Sequence, residues 1–295
     1  MFSVIFPGQG SQSVGMGREI YENFNYVREL FNEADDTLGY PLSKIILEGP
    51  KEELDLTENT QPAIFLLSYA IIEMIKKECN FNLSGSKYFA GHSLGEYSAL
   101  AASGSLDFKS AIKLLNERGR AMQNAVPKGT GGMLAILGVD IEEINNLLEE
   151  NQNNYKCYIA NDNSNGQIVL SGLNKDIDKL AMSLKEKKIK NIKLPVSAPF
   201  HCKLMNKATH IMTDKINNAN FTRPNNVIIS NVTGAETQEI EEIKDLLIKQ
   251  IESPVRWRES VIYMIKNGVT NFIEIGPGKV LSGLVKRIDK TINVC

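Results

Sequence analysis

The sequence predicts an α/β protein in which a parallel-sheet core carries an inserted ferredoxin-like subdomain. Strand-like runs alternate with helical patterns along most of the chain, which is typical of parallel strands joined by helices. Between Gly129 and Pro195 the order of elements changes to β, α, β, β, α, β, the order of a split β-α-β unit. A serine flanked by glycines stands where a strand passes into a helix, which indicates an enzyme.

The core is predicted from segments on both sides of the insertion. Strands are expected at residues 3–6, 87–90, 227–229 and 271–275, and helices near residues 26–38, 61–77, 111–123 and 255–266. We assign these segments to one large catalytic domain made of residues 1–127 and 197–295.

The inserted subdomain is predicted to span residues 128–196. Its pattern gives strands at residues 133–137, 156–160, 167–170 and 192–194, and helices at residues 141–150 and 175–188. Glycines at residues 129–132 and prolines within residues 195–199 mark its two edges. Because binding sites often lie between two such bodies, we expect the active site in the cleft that separates them.

Composition limits the classes of function. The chain of 295 residues is 42% hydrophobic and 23% charged, enough for one large core and a smaller one. A formal net charge of −2 argues against a nucleic-acid partner. Polar residues interrupt the apolar stretch at residues 63–75, so no membrane span is expected.

Location and metal content are predicted from two further features. The chain enters a strand-like run directly, with no basic leader. The cysteines lack metal-ligand or redox spacing; they are Cys79, Cys157, Cys202 and Cys295. We therefore expect a cytoplasmic protein that binds no metal. We also expect a monomer, although no feature of the sequence fixes the oligomeric state.

The candidate nucleophile is Ser93. It lies between Gly91 and Gly95, with a strand-like run before it and helix-forming residues after it. In a nucleophile elbow the flanking glycines prevent collisions at a sharp turn, and the serine adopts a strained backbone conformation that exposes its hydroxyl. The spacing predicts such an elbow here.

A serine hydroxyl needs a base at neutral pH, and the chain offers three histidines. His92 is adjacent to Ser93 and is expected to point away from it. His210 lies inside a helical pattern, whereas His201 stands where a loop passes into that helix. We favour His201 as the base; the alternative is that it only caps the helix.

No acidic residue stands out as the third member of a triad. The aspartates between Ser93 and His201 are typical of turns or helix edges; they are Asp107, Asp140, Asp162, Asp176 and Asp178. A neutral carbonyl can orient an imidazole but stabilises the imidazolium less than a carboxylate does. The absence therefore favours an activated acyl donor, such as a thioester.

An acyl-transfer site also needs backbone N–H groups for the developing oxyanion. Leu94 follows the nucleophile at the positive end of the predicted helix and is one candidate. The glycine-rich turn at residues 7–12 offers a second, although ordinary loop geometry explains that turn equally well. It is no phosphate-binding loop, since it lacks the lysine.

Several blocks in fixed order carry a family resemblance. They are PGQGSQ at 7–12, GHSLGEY at 91–97, the pair Arg118 and Gly119, VSAPFH at 196–201, Gln250 before SPVRW at 253–257, and GPGKVL at 276–281. Together they closely resemble the malonyl-CoA:acyl carrier protein transacylases, bacterial enzymes that load malonyl units for fatty acid synthesis. The resemblance spans nearly the whole chain and implies a hydrolase-like α/β body with a ferredoxin-like insertion.

The resemblance implies a role for each matching residue. Ser93 resembles the family's acyl-accepting nucleophile and His201 its base, which the backbone carbonyl of Gln250 orients. Gln9 and Leu94 match the positions of the oxyanion hole.

The resemblance also bears on the acyl group. Arg118 matches the arginine that binds the free carboxylate of malonyl, and Phe200 is similar to the residue of malonyl-selective members. A buried guanidinium pairs best with a planar carboxylate, and leaving it unpaired costs about 3 to 5 kcal/mol. The alternative for Arg118 is an ordinary helix-surface arginine.

Substrates and partners follow from the same resemblance. It implies malonyl-CoA as donor, an acyl carrier protein as partner, and no cofactor of the enzyme's own, because the phosphopantetheine belongs to the carrier. Lysines are candidates for a carrier-docking surface, although such runs are often only solvated; they are Lys185, Lys187, Lys188, Lys190 and Lys193, with Lys286 and Arg287 as a second patch. A hydrolase, a noncatalytic carrier-binding module, and acetyl or methylmalonyl specificity remain alternatives.

Overall fold

The structure is a computed structural model that describes residues 1–79, 81–196 and 198–295. Residue 197, where the predicted second segment of the large domain begins, lies outside the described residues. The strands of the larger body are β1 (Phe2–Phe6), β2 (Tyr88–Gly91), β7 (Val227–Ile229), β8 (Glu236–Thr237), β9 (Asn271–Glu274) and β10 (Asn293–Val294). Its helices are α1 (Arg18–Asn23), α2 (Asn25–Leu38), α3 (Leu42–Glu48), α4 (Lys51–Leu54), α5 (Thr57–Glu78), α6 (Gly95–Ala102), α7 (Phe108–Gln123), α10 (Asn206–Asn218), α11 (Ile240–Gln250), α12 (Trp257–Lys266) and α13 (Val280–Ile288).

The larger sheet has the strand order β10-β9-β1-β2-β7-β8. Its pairs are parallel except for the short antiparallel pair of β7 and β8. β1 lies in the middle, and Val4 pairs with Phe89 on one side and Ile273 on the other. Apart from Ser3, β1 consists of apolar residues, as expected for a central parallel strand whose two faces are both covered.

The smaller body contains β3 (Gly131–Leu137), α8 (Ile141–Glu150), β4 (Cys157–Ser164), β5 (Gln167–Leu173), α9 (Asn174–Glu186) and β6 (Lys190–Lys193). Its sheet is antiparallel, with the strand order β4-β5-β3-β6. Alternate residues of β3 and β5, such as Leu134 and Leu170, pack with the apolar faces of α8 and α9. The sequence of elements is the β, α, β, β, α, β order that was predicted.

The two bodies are joined through β4. Its residues Ala160 and Asp162 exchange backbone hydrogen bonds of 2.8 and 3.0 Å with Val255, just before α12. The Asp162 carboxylate also forms an ion pair of 2.8 Å with Arg258 on α12. The interpretation of Asp162 as a turn or helix-edge residue was therefore wrong: it lies buried in a strand and holds the two bodies together.

The predicted segments lie close to the observed ones, and the ends differ by a few residues. Some elements were not predicted at all: the short α1, α3, α4, β8 and β10, and also α11, which has eleven residues. None of the helices in the described part of the chain is both long and apolar enough to span a bilayer.

Candidate active site

Ser93 lies in a sharp turn between β2 and α6. Its φ of 54° is in the left-handed region, which costs energy for a residue with a side chain. A Cβ on Gly91 would lie 1.9 Å from the Gly95 carbonyl carbon, and one on Gly95 would lie 2.3 Å from the Phe6 carbonyl oxygen. Both glycines are therefore required for the turn to close against the sheet.

Asn231 holds this turn from behind. Its Oδ1 accepts a hydrogen bond of 2.7 Å from the backbone N–H of Ser93, and its Nδ2 donates one of 2.7 Å to the Gly91 carbonyl. The strained conformation of Ser93 is thus fixed by Asn231, which follows β7, the strand that pairs with β2. No sequence pattern indicated Asn231 for this role.

His201 faces Ser93 across the turn. Its Nε2 lies 2.8 Å from the Ser93 Oγ, and its Nδ1 lies 2.9 Å from the Gln250 backbone carbonyl. Because a carbonyl only accepts, Nδ1 carries the proton, which leaves Nε2 free to accept from the serine hydroxyl. His201 also has a positive φ, 57°, a second strained residue at the same site.

The imidazole of His201 is neutral at physiological pH. Its burial, and next the positive charge of Arg118, lower the pKa of His201 from its ordinary 6.5 to about 3. A neutral imidazole whose Nε2 accepts from a hydroxyl is the form that a general base requires.

Arg118 brings a positive charge to the serine. It extends from α7, is 1% exposed, and donates from NH2 to the Ser93 Oγ at 3.2 Å. Its other acceptors are side-chain amides: Gln61 Oε1 at 2.7 Å and Gln250 Oε1 at 2.8 Å. Within the described ranges, Arg118 has no ion-pair partner and its Nε has no hydrogen-bond partner. It is a buried cation that still has capacity for an anion.

Gln9 and Leu94 lie against the same cavity as Ser93. Leu94 caps the N-terminus of α6, and the Gln9 side chain donates to Thr57 Oγ1 at 3.3 Å. Neither backbone N–H donates to an acceptor in the part of the chain that the structure describes. Both are therefore free to donate to an oxyanion.

The cavity beside Ser93 has a volume of about 140 Å³. Its lining comes from both bodies: Gln9, Gln61, His92, Ser93, Leu94, Arg118, Met122, Phe200 and His201 from the larger, and Met133, Asn161, Asn163, Val169, Leu194 and Val196 from or beside the smaller. A larger hollow of about 800 Å³ lies near the end of α5. None of the predicted site residues lines it, so the smaller cavity is the candidate site.

The two other histidines have no contact with the serine hydroxyl. The Nε2 of His92 lies 2.8 Å from the Oδ1 of Asn163 on β4, and burial lowers the pKa of His92. His210 is exposed on α10. The structure thus brings together Ser93, His201 and Arg118, with Gln250 behind them.

Sequence reasoning missed the polar side chains that support this group. They are Gln61, Glu96, Asn163 and Asn231, all buried. A signal existed for two of them: Gln61 directly precedes the apolar stretch of α5, and Glu96 is the one charged residue of the mostly apolar α6. Buried polar residues in such positions need partners, and here the partners belong to the site.

Comparisons with known proteins agree with this geometry. The model of the acyl transferase domain family matches residues 3–293. The malonyl CoA-acyl carrier protein transacylase of Bacillus subtilis (strain 168) is 44% identical over 292 residues, 98% of this chain and 90% of that protein. The enzyme of that description from Escherichia coli (strain K12) is 39% identical over 292 residues, 99% of this chain and 94% of its own length.

Solved structures that resemble this chain are also malonyltransferases. The acyl-carrier-protein-S-malonyltransferase of Bartonella henselae superposes with a TM-score of 0.96 at 42% identity, covering 99% of this chain and 94% of that one. A malonyl-transacylase in complex with a type II PKS acyl-carrier protein has a TM-score of 0.94 at 39% identity, with coverages of 99% and 94%. The predicted α/β class with a parallel-sheet core is confirmed. The chain therefore belongs to the acyl transferase domain family and, within it, to the malonyl CoA-acyl carrier protein transacylases.

Proposed function

We propose that the protein moves a malonyl group from coenzyme A to the phosphopantetheine thiol of an acyl carrier protein through an ester on Ser93. One observation carries the choice of malonyl. Arg118 is buried 3.2 Å from the Ser93 Oγ and contacts no carboxylate of the described chain. A guanidinium placed there supports a donor whose acyl group ends in a free carboxylate.

In the first half-reaction the Ser93 Oγ attacks the thioester carbonyl of malonyl-CoA. His201 Nε2 takes the hydroxyl proton as the Oγ–C bond forms. The tetrahedral oxyanion accepts from the backbone N–H groups of Gln9 and Leu94. The C–S bond then breaks, and the imidazolium of His201 gives its proton to the departing sulfur of coenzyme A.

The second half-reaction reverses these steps with the carrier as acceptor. The carrier's thiol gives its proton to His201 Nε2 while its sulfur attacks the Ser93 ester. When the intermediate collapses, the Oγ–C bond breaks and the proton returns to the Ser93 oxygen. The Ser93 hydroxyl and the neutral His201 are then regenerated. The proposed cycle therefore needs no cofactor bound to the enzyme.

A thioester suits the way in which His201 is oriented. The Gln250 carbonyl fixes the tautomer but carries no net charge, so it stabilises the imidazolium less than a carboxylate does. A thiolate leaves more readily than an amine, so the reaction depends less on protonation of the leaving group by the imidazolium. The family's use of an activated donor is consistent with this arrangement.

The size of the cavity supports the same substrate. About 140 Å³ is well below the roughly 300 to 1,000 Å³ of pockets that enclose drug-sized ligands. We propose that the acyl group enters the cavity, whereas the nucleotide part of coenzyme A stays outside it. One cavity can then serve coenzyme A and the carrier in turn.

The test is covalent labelling followed by transfer. Incubation with malonyl-CoA should add the mass of one malonyl group to the wild-type protein and nothing to Ser93→Ala. Adding a carrier with a phosphopantetheine arm should move that mass to the carrier. Labelling of Ser93→Ala would refute the assignment of the nucleophile. Faster release of free malonate than carrier acylation would instead identify a hydrolase.

We further propose that the carrier docks beside β6. Lys190 and Lys193 are exposed on this strand, and Leu194, which follows, lines the cavity. Lys193 already pairs with Asp178 at 2.8 Å, so Lys190 and the lysines before it offer the freer charges. Carrier acylation should fall steeply with added salt, while loading from malonyl-CoA should not. Equal salt dependence of both steps would refute this surface.

A further inference from the structure

We propose that Glu96 is a positioning residue for malonyl preference: through the side-chain amide of Gln250 it holds the Arg118 guanidinium where the donor's carboxylate binds. The proposal rests on the proposed function and adds a residue to it. Glu96 does not touch the cavity; it lies beneath the nucleophile, three positions after Ser93 in the first turn of α6.

Glu96 is a carboxylate enclosed by donors. It is 2% exposed, and its Oε2 accepts from the Gln250 Nε2 at 2.7 Å and from the Asn231 backbone N–H at 3.0 Å. A carboxyl group inside a protein is costly unless such bonds are made. Burial raises the pKa of Glu96 from its ordinary 4.5 to about 7. The fold therefore retains, directly behind the site, a carboxyl group whose burial is unfavourable in free energy.

The Gln250 amide connects Glu96 to Arg118. Its Nε2 end donates to Glu96, and its Oε1 end accepts from Arg118 NH2 at 2.8 Å. A carboxylate accepts and a guanidinium only donates, so the two neighbours fix the orientation of this amide from its opposite ends. The remaining contacts of Nε2 are longer, 3.2 Å to the Ser93 carbonyl and 3.5 Å to Asn231 Oδ1.

Loss of the acceptor at position 96 would release the amide. Without its shortest, charge-assisted bond, the Gln250 side chain could rotate and withdraw Oε1 from Arg118. Arg118 would keep Gln61 on NH1 and the Ser93 hydroxyl on NH2, but it would lose its third acceptor. The Arg118 side chain is long and loses conformational entropy when it is fixed, so with one acceptor fewer it would be held less firmly.

This effect should distinguish two donors. The carboxylate of malonyl-CoA binds Arg118, whereas acetyl-CoA has no group that reaches it. His201 is oriented by the backbone carbonyl of Gln250, not by its side chain, so its base function does not depend on Glu96.

Glu96 also accepts from the Asn231 backbone N–H, and Asn231 supports Ser93, so a part of any loss is shared by both donors. The loss through Arg118 comes on top of it for malonyl-CoA alone, so a change at Glu96 should lower kcat/KM more for malonyl-CoA than for acetyl-CoA.

Variants at position 96 separate the acceptor from the bulk of the side chain. Glu96→Gln keeps an oxygen that can accept both bonds, so it should keep the malonyl-to-acetyl ratio within about threefold of wild type. Glu96→Met has a similar size and no strong acceptor, and should lower the ratio about tenfold. Glu96→Asp withdraws the carboxylate by about 1.5 Å and should also lower the ratio.

The control is Asp176→Asn, which neutralises another buried carboxylate, on α9 of the smaller body. It should leave the ratio unchanged. An unchanged ratio in folded Glu96→Met or Glu96→Asp would overturn the proposal, as would equal losses with both donors. If Glu96→Met fails to fold, Glu96→Asp decides.

Wild-type protein measured in parallel tests the proposed function itself. If the wild type transfers malonyl and prefers it to acetyl, the proposed function holds, and the variants then test the role of Glu96 alone. If the wild type shows no malonyl preference, the proposed function fails in its choice of donor, and the proposal for Glu96 fails with it.

Discussion

The two halves of the site are built in different ways. The turn around Ser93 is compact and local: two glycines within five residues permit it, and backbone atoms of β1 and α6 surround it. The surroundings of Arg118 are dispersed, because its acceptors come from α5, from the end of α11 and from the turn itself. The first half is fixed mainly by backbone sterics, with Asn231 as a distant support, and the second by side-chain hydrogen bonds.

This difference separates catalysis from selectivity. Damage to the turn should affect every donor, because it displaces the nucleophile. Damage around Arg118 should affect mainly donors with a carboxylate. Variants of Gly91 and of Arg118 therefore each disturb one half more than the other.

The largest effect should come from Gly91→Ala. The new Cβ would lie 1.9 Å from the Gly95 carbonyl carbon, so the turn must open, at a cost of more than about 3 kcal/mol in the free energy of unfolding. Activity with malonyl-CoA and acetyl-CoA should fall together. Gly283→Ala, where a Cβ meets nothing within 4 Å, is the matched control for urea unfolding. A stable, active Gly91→Ala protein would contradict the steric account.

Arg118→Met should come next. It removes the cation and keeps a long side chain, so kcat/KM for malonyl-CoA should fall about a hundredfold to a thousandfold, with little loss for acetyl-CoA. Arg120→Met is the control, since Arg120 lies on the same helix but is exposed and pairs with Glu58 at the surface. Equal losses with both donors would place Arg118 in the catalytic half instead.

The two remaining predictions concern stability against pH, and the first of them concerns Glu96. Since the pKa of Glu96 in the fold, about 7, lies above its ordinary 4.5, its stabilising contribution is complete below about pH 4.5 and is lost as pH rises through about 7. Glu96→Gln lacks this loss, so its free energy of unfolding relative to wild type should increase over that range. Urea unfolding from about pH 5 to pH 8 measures it; a constant difference would contradict a raised pKa.

A prediction for the acid side follows from His201. Its pKa in the fold, about 3, lies below its ordinary 6.5, so its contribution to stability is present above about pH 6.5 and is lost as pH falls toward 3. The free energy of unfolding of His201→Asn minus that of wild type should therefore increase as pH falls from about 6.5 toward 3. If this value decreases or stays constant in acid, the imidazole is not held neutral by burial.

The local half of the site could be predicted from sequence because its cause is local. The spacing of Gly91, Ser93 and Gly95 indicates a sharp strand-to-helix turn, because such a turn leaves no room for side chains at the two flanking positions. His201 could be selected by elimination from few histidines. The role of the Gln250 carbonyl came only from the family resemblance, since every residue has a carbonyl and no side-chain pattern marks this one.

The distant side chains that support both halves of the site could not be predicted in the same way. Asn231 supports Ser93 from a position 138 residues away, and Gln250 lies 132 residues from Arg118. Nothing short of the folded sheet shows that these residues meet. Longer, periodic elements such as α5 and α7 were predicted well, whereas short ones such as α1 and β8 carry too few residues for a period to emerge.

Competition between donors tests the central claim most directly. Wild-type protein is mixed briefly with equal amounts of malonyl-CoA and acetyl-CoA, and the ester formed is identified by intact mass and located by peptide mapping. The account predicts a malonyl ester on Ser93 as the main product, and mainly an acetyl ester in Arg118→Met. An acetyl ester on the wild type, or a malonyl group on another residue, would contradict it.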